Sequence, residues 1–139
     1  VAIQMGATIH DLEEAELCYA PQFGSAKDAV NFAGMVAADV RNGDMPLAHW
    51  EIADGAFLLD VREPLELAVE SVPGAVTIPL GQLRARLGEL PRDREILTIC
   101  RSGGRAYFAT RILLQNGFKA KTISGGMLSR TMRAIAESK

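Results

Sequence analysis

The stretch whose residue types could do chemistry is a cysteine followed by a loop rich in glycine and arginine. It reads Cys100-Arg101-Ser102-Gly103-Gly104-Arg105. Glycines allow the backbone to turn its N–H groups inward as an anion-holding nest, and the arginines add fixed positive charge. A helix that begins at the end of the loop would direct its positive end to the same place. Such surroundings favour a thiolate, so the pattern predicts a nucleophilic Cys100 with a binding cradle formed from Arg101 to Arg105.

A structural interpretation of the same cysteine stays open. Free cysteine is among the residue types most often buried, and Cys100 directly follows an apolar run typical of a strand. A small buried residue followed by a glycine-rich connection would need no chemistry. The density of glycine and arginine in the loop favours the reactive thiol over this alternative.

Short apolar runs alternate with helical patterns from residue 56 onward and must position this loop. The predicted strands are Ala56–Leu59, Ala75–Ile78, Ile96–Ile99 and Lys121–Ile123. The predicted helices lie around Leu80–Leu90, Gly104–Gln115 and Leu128–Ile135. This alternation predicts an α/β fold with a small, mainly parallel sheet covered by helices on both faces. Ligands of such sheets bind at the carboxyl ends of the strands, and Cys100 directly follows one.

The charge pattern divides the chain in two. Residues 1–50 carry a formal net charge of −5, and residues 51–139 carry +3. The sign changes near Gly43 and Pro46, residue types that also end helices. We therefore expect a short helical segment over residues 1–44 and an α/β domain over residues 45–139. The helix is predicted to begin at about Ala26 after a cap at Ser25, and to pack through an apolar stripe formed by Val30, Ala33, Ala37 and Val40.

The composition argues against several classes of protein. Apolar residues make up 48% and charged residues 23% of the chain, as in globular proteins. A formal net charge of −2 gives no electrostatic footprint for nucleic acid, and no apolar run reaches the roughly 18 residues of a membrane span. Only two cysteines and no signal-peptide pattern predict a reduced, cytoplasmic setting. His10 and His49 are isolated, so no metal site is predicted.

From about residue 45 to its end, the sequence resembles a rhodanese domain. The motifs that carry this resemblance, besides the Cys100 loop, are Asp60-Val61-Arg62-Glu63, Val72-Pro73-Gly74-Ala75, Ile78-Pro79 and Ser124-Gly125-Gly126. The resemblance implies that Cys100 takes sulfane sulfur from thiosulfate, polysulfide or a persulfide and becomes a persulfide itself. It also implies that the loop from Arg101 to Arg105 cradles this persulfide until the sulfur passes to a thiol acceptor.

Two details beside the loop bear on this resemblance. Asp60, Arg62 and Glu66 are expected to form structural ion pairs near the loop rather than to act as catalysts. Many rhodanese domains have Gly-His-Ile before the Pro-Gly-Ala motif, whereas this sequence has Glu70-Ser71-Val72. The nucleophile is unaffected by this departure, but local packing or donor preference can differ.

Cysteine-dependent phosphatases have a related fold and offer a second chemistry. They place an arginine six positions after the cysteine, where this sequence has Ala106. The shorter loop forms a tighter cup, which favours a single sulfur atom over a tetrahedral phosphate.

The first segment carries a resemblance of its own. The string from Tyr19 to Asp28, followed by Asn31 and Gly34, resembles the end of the dimerisation domain of flavin-dependent pyridine nucleotide–disulfide oxidoreductases of the coenzyme A-disulfide reductase and NADH oxidase type. Some members of that family carry a C-terminal rhodanese domain. The resemblance implies FAD, NAD(P)H and coenzyme A for a longer parent enzyme, and no cofactor for this chain. It also implies flavoprotein domains as partners and leaves room for a homodimer.

Alternatives remain for this first segment. It could equally be a helix that caps the α/β domain, and the whole chain could be a non-catalytic dimerisation or docking module. The second resemblance implies that Tyr19 lies near a partner's thiol substrate. Cys18 is expected to be a small buried residue, because no loop or positive charge adjoins it.

Overall fold

The computed structural model describes residues 1–17, 22–23, 27–52 and 55–137. Contacts divide the chain into two compact units, Val1–Met45 and Pro46–Lys139. The expectations for Cys18, Tyr19 and the cap at Ser25 lie outside the described residues. Within the described part of the chain, no helix is both long and apolar enough to cross a membrane.

The second unit is built on a parallel sheet. The first unit contains helices α1 (Ile9–Glu13) and α2 (Ala29–Asn42), and the second continues with α3 (Pro64–Leu67), α4 (Leu80–Leu83), a 3-10 helix (Arg84–Glu89), α5 (Gly104–Gln115) and α6 (Gly126–Glu137). The strands are β1 (Leu47–Ala48), β2 (Phe57–Asp60), β3 (Val76–Thr77), β4 (Ile96–Ile99) and β5 (Ala120–Ile123). All described pairings are parallel, in the order β1-β5-β4-β2-β3. The predicted α/β fold, preceded by a helical segment, is confirmed, although two-residue β1 was too short to show a pattern.

Two apolar cores lie on opposite faces of the sheet. On one face, Ile96 of β4 packs with Leu59 of β2 and Leu113 of α5. On the other face, Leu97 of β4 belongs to a cluster that includes Met127 of α6. Successive side chains of a strand point to opposite faces, and both faces of the sheet are covered here, so all four residues of β4 are buried. This explains why β4 reads as a continuous apolar run rather than as an alternating one.

A chain of three buried threonines ties α5 to the centre of the sheet. The Thr98 and Thr110 hydroxyl oxygens lie 2.8 Å apart, and those of Thr110 and Thr122 also lie 2.8 Å apart. The Thr98 hydroxyl also donates to the carbonyl of Ala106 in the first turn of α5, at 3.1 Å. The three side chains therefore satisfy one another in an otherwise apolar core, and they hold the start of α5 in place behind the Cys100 loop.

We expect Thr110→Val to lower the free energy of unfolding by about 1–2 kcal/mol, because it removes the central hydroxyl of this buried chain. Urea unfolding of both proteins measures the difference. Thr131→Val is the matched control, since Thr131 is exposed on α6 and its hydroxyl bonds only back to Met127 in the same helix. Equal stability losses in the two variants would contradict a special role for the buried chain.

The packing face predicted for α2 is wrong. Val30, Ala33 and Val40 are exposed, whereas the buried residues of α2 are Asn31, Gly34 and Ala38. The helix begins at Ala29 instead of about Ala26. The helix is therefore buried through one polar and two small residues, and not through the larger apolar residues of the predicted stripe.

The reason lies in how closely α1 and α2 approach each other. A Cβ atom on Gly34 would lie 2.3 Å from the backbone nitrogen of Glu13, so only glycine fits at that position. Beside it, the side-chain amide nitrogen of Asn31 donates to the carbonyls of Leu12, Glu13 and Ala15 at 3.2, 3.1 and 2.9 Å. These carbonyls lie in the last turn of α1 and just after it, where a helix leaves its own acceptors unpaired. The buried face of α2 was therefore decided by the need to cap the carbonyls of α1. Apolar side chains have no donor for these carbonyls.

Candidate functional site

Cys100 stands at the carboxyl end of β4, which lies between β5 and β2 in the sheet. The residue is only 1% exposed and belongs to the core formed with α5, whereas Arg101 and Ser102 are exposed. Gly103 adopts a left-handed conformation, with φ of 112°, and its N–H donates to Sγ of Cys100 at 3.1 Å. A side chain would strain this φ, so glycine is needed for the amide to face the sulfur. The Cys100 side chain is therefore buried in the core, and its sulfur accepts a hydrogen bond from the loop.

The first turn of α6 holds the same loop from the other side. The backbone N–H groups of Met127 and Leu128 donate to the carbonyls of Cys100 and Arg101, each at 3.0 Å. This approach is possible because position 126 is glycine, where a Cβ atom would lie 2.3 Å from the Cys100 carbonyl oxygen. Gly126 of the Gly125-Gly126 pair thus serves the cysteine loop directly, a link that the sequence alone did not reveal.

Trp50 secures this turn. Its indole nitrogen donates to the carbonyl of Gly126 and to the hydroxyl of Ser129, both at 3.1 Å. The ring packs against the core that contains Met127. Trp50 lies far from these residues in sequence, and no motif connects them, so its contribution to the loop could only be read from the structure.

A forked ion pair joins the loop to α3. The guanidinium of Arg105 donates to both carboxylate oxygens of Glu66, at 2.5 and 2.7 Å, and each side chain is about one-third exposed. The hydrogen bond from Arg105 is the main reason that the pKa of Glu66 falls to about 2, helped by the Glu63 amide and opposed by burial. The pKa of Arg105 is raised chiefly by the bond to Glu66 and, to a smaller extent, by the charge of Cys100. Arg105 is therefore paired with an acid on α3, and its charge also interacts with that of Cys100.

Asp60, the last residue of β2, forms a second and almost completely buried ion pair with Arg62. The Arg62 guanidinium donates to Asp60 at 2.6 Å and to the backbone carbonyl of Glu70 at 3.0 Å. The hydrogen bond that Arg62 donates to Asp60 is the main cause of the raised pKa of Arg62. The pair fixes the chain on both sides of Glu66. Because the contact at Glu70 uses a backbone carbonyl, the departure from Gly-His-Ile at this place leaves it intact.

The structure thus brings some of the predicted site residues together and separates others. The Gly103 N–H contacts the Cys100 sulfur, and Arg105, at the end of the same loop, is held by Glu66. Arg101 and Ser102 lie at the exposed side of the loop, and Gly104 begins α5. Among the described residues, no group of three or more His, Cys, Asp or Glu side chains could hold a metal ion.

This fold and loop define a class of protein, in which a strand-end cysteine sits in a glycine-rich loop of a small parallel α/β domain. The rhodanese-like domain family matches residues 46–129, so the chain belongs to the rhodanese-like family and the predicted family is confirmed. A sulfurtransferase of Allochromatium vinosum is 34% identical over 77 residues, which are 55% of this chain and 72% of that protein. The putative sulfurtransferase YtwF of Bacillus subtilis is 37% identical over 79 residues, 57% of this chain and 77% of that protein.

Two solved structures resemble more of the chain than the family match does. Reduced CoADR-RHD of Bacillus anthracis is 41% identical, with a TM-score of 0.85, over 91% of this chain and 24% of that one. An NAD-dependent persulfide reductase from A. fulgidus is 38% identical, with a TM-score of 0.80, over 91% of this chain and 23% of that one. The similarity therefore extends into the first unit, and this chain spans about a quarter of the length of each of those proteins.

We expect Gly126→Ala to lower the free energy of unfolding by at least about 2 kcal/mol. The new Cβ atom would clash with the Cys100 carbonyl, and alanine would be strained in the left-handed conformation of this residue. Gly81→Ala, in α4, is the control: a Cβ atom there meets no atom within 4 Å, and stability should change by less than about 1 kcal/mol. Thermal or urea unfolding compares the two. Similar stabilities would contradict the close approach of α6 to the loop.

The lowered pKa of Glu66 predicts a dependence of stability on pH. The carboxylate is favoured in the folded protein, so the pair contributes fully above the unfolded pKa of about 4.3 and is lost as the pH falls towards 2. At pH 6 the wild type should be more stable than Glu66→Gln by up to about 1 kcal/mol, given the partial exposure of the pair. Urea unfolding at pH 6, 4 and 2.5 should show the gap closing. A gap of constant size would contradict the assignment.

Proposed function

We propose that the chain is a sulfurtransferase domain in which Cys100 carries sulfane sulfur as a persulfide. The donor is thiosulfate, polysulfide or a low-molecular-weight persulfide, and the acceptor is a thiol. The observation that supports this most directly is the Cys100 sulfur at a strand end, with the Gly103 N–H directed at it at 3.1 Å. Membership of the rhodanese-like family and two relatives described as sulfurtransferases support the same chemistry.

The reaction is a pair of displacements at sulfur. In the first, the Cys100 thiolate attacks the outer sulfur of thiosulfate, a new S–S bond forms, and sulfite leaves with the electron pair of the broken S–S bond. In the second, an acceptor thiolate attacks the outer sulfur of the Cys100 persulfide, which forms the acceptor's persulfide and returns the Cys100 thiolate. Charge and sulfur balance in each step, so the transfer needs no external oxidant or reductant.

The loop contributes binding and electrostatics to these steps. The Gly103 amide stabilises negative charge on sulfur, and Arg105 adds positive charge that reaches Cys100. Arg101 is exposed next to the cysteine, where it would attract an anionic donor. The backbone from Arg101 to Arg105 is then the cradle of the outer persulfide sulfur.

We infer that the domain works within a flavin-dependent disulfide or persulfide reductase. The similarity to CoADR-RHD and to the persulfide reductase, which covers 91% of this chain, supports this setting. FAD, NAD(P)H and coenzyme A would then belong to the parent enzyme, with the residues 1–44 segment joining the domain to its flavoprotein partners. A reducing cytoplasm would keep Cys100 available as a thiol.

We expect Cys100→Ser to abolish sulfur transfer from thiosulfate or polysulfide to cyanide or a thiol, because oxygen cannot form the persulfide. Cys18→Ser is the matched control, since it leaves Cys100 as the single cysteine of the chain. In this control, intact-mass spectrometry after incubation with donor should show a gain of about 32 Da, one sulfur atom. Equal transfer by wild type and Cys100→Ser would refute the assignment.

A second candidate is a non-catalytic dimerisation or docking module of the same parent enzyme. The observation that favours it is the set of exposed apolar side chains on α2, namely Val30, Phe32, Val36 and Val40. In the parent enzyme this face would pack against the flavoprotein domains. Iodoacetamide labelling of Cys18→Ser over a range of pH separates the two functions, because a docking module would show the reactivity of an ordinary thiol at Cys100.

A further inference from the structure

The forked pair between Glu66 and Arg105 gives the site a charge balance that the loop motif alone does not show. Without this pair, the charge of Arg105, which interacts with that of Cys100, would act on the sulfur uncompensated. Both of its hydrogen-bonding contacts to Glu66, at 2.5 and 2.7 Å, are short and bidentate, the geometry in which an arginine is best held. An acid on α3, 39 positions away in sequence, therefore controls a cation of the cysteine loop.

The other charged groups around the sulfur do not reproduce this effect. On the loop itself, Arg101 is exposed, so it can meet a donor in solution but solvent screens its charge from the buried sulfur. From the end of β2, Asp60 and Arg62 neutralise each other as a pair. Glu63 raises the pKa of Arg105 only slightly, through its negative charge. The first turn of α6 has no acidic residue and offers backbone amides to the loop.

We propose that Glu66 is a positioning and specificity-determining residue, which holds Arg105 beside Cys100 while cancelling most of its charge. This inference rests on the proposed sulfur transfer at Cys100. A site with a balanced arginine favours donors of low charge, such as an organic persulfide with a single negative charge on sulfur. The thiosulfate dianion gains more from an uncompensated arginine, so Glu66 selects against it.

The test uses Glu66→Gln, which keeps one acceptor for Arg105 but removes the negative charge. The matched control is Glu89→Gln, because Glu89 receives a similar fork from Arg86, at 2.7 and 2.7 Å, on the 3-10 helix. A third variant, Glu66→Asp, retains the charge with a shorter side chain. All variants carry Cys18→Ser, so that alkylation reports on Cys100 alone.

The first readout is the rate of iodoacetamide alkylation against pH. Glu66→Gln should move the midpoint of this profile to lower pH by about half a unit or more, because free positive charge favours the thiolate. Arg105→Gln, which leaves Glu66 without its cation, should move the midpoint to higher pH and serves if Glu66→Gln does not fold. Glu66→Asp and Glu89→Gln should give profiles close to that of the protein that carries Cys18→Ser alone.

The second readout is the KM for thiosulfate, a dianion, compared with that for cysteine persulfide, whose net charge is about −1 at neutral pH. Glu66→Gln should lower the KM for thiosulfate at least about threefold relative to that for the persulfide, since a dianion responds more strongly than a monoanion. Glu89→Gln should leave this ratio unchanged. A structural role alone would change stability or kcat and leave the ratio and the alkylation midpoint in place.

The proposal is overturned if Glu66→Gln matches Glu89→Gln in both readouts, or if its alkylation midpoint moves to higher pH. It is also overturned if Glu66→Asp shifts the midpoint as far as Glu66→Gln, because the charge would then not be the cause. Failure of the proposed function is distinguishable, since a Cys18→Ser protein that transfers no sulfur still gives an alkylation profile.

Discussion

The hydrogen bond from the Met127 amide to the Cys100 carbonyl is the contact on which the site depends. It brings the start of α6 against the end of β4, and it leaves room only for glycine at position 126. With the carbonyl held from one side, the loop can turn its Gly103 amide to the sulfur on the other. The cysteine is therefore placed by backbone hydrogen bonds, which form because positions 103 and 126 are glycine.

Charge is distributed around this loop in pairs rather than as a positive surface. Asp60 balances Arg62 in the interior, and Glu66 balances Arg105 nearer the sulfur. An uncompensated buried charge would be costly, so Arg62 is matched by an acid at the end of β2 and Arg105 by an acid on α3. The loop motif by itself suggests a more positive site than the one the fold builds.

The first unit shows how an apolar pattern can indicate the wrong face of a helix. The stripe that begins at Val30 has the expected helical spacing, yet the structure exposes most of it. Asn31 and Gly34 are buried instead, because α1 ends against α2 and needs both a donor for its last carbonyls and a close approach. Periodicity predicts the buried face of a helix from its apolar residues alone. Here the hydrogen bonds that the backbone of α1 requires decided the buried face of α2 instead.

The sequence by itself determined the alternation of strands and helices, the family, and the place of Cys100 after a buried strand, because these depend on local pattern and short motifs. Helix α5 begins at Gly104 and ends at Gln115, as its residues predict. Only the tertiary structure decided that Trp50, Gly126 and Glu66 serve the cysteine loop. Each of them acts across a large separation in sequence, through an indole donor, a missing Cβ atom or a carboxylate, and no local pattern encodes which distant residue will meet it.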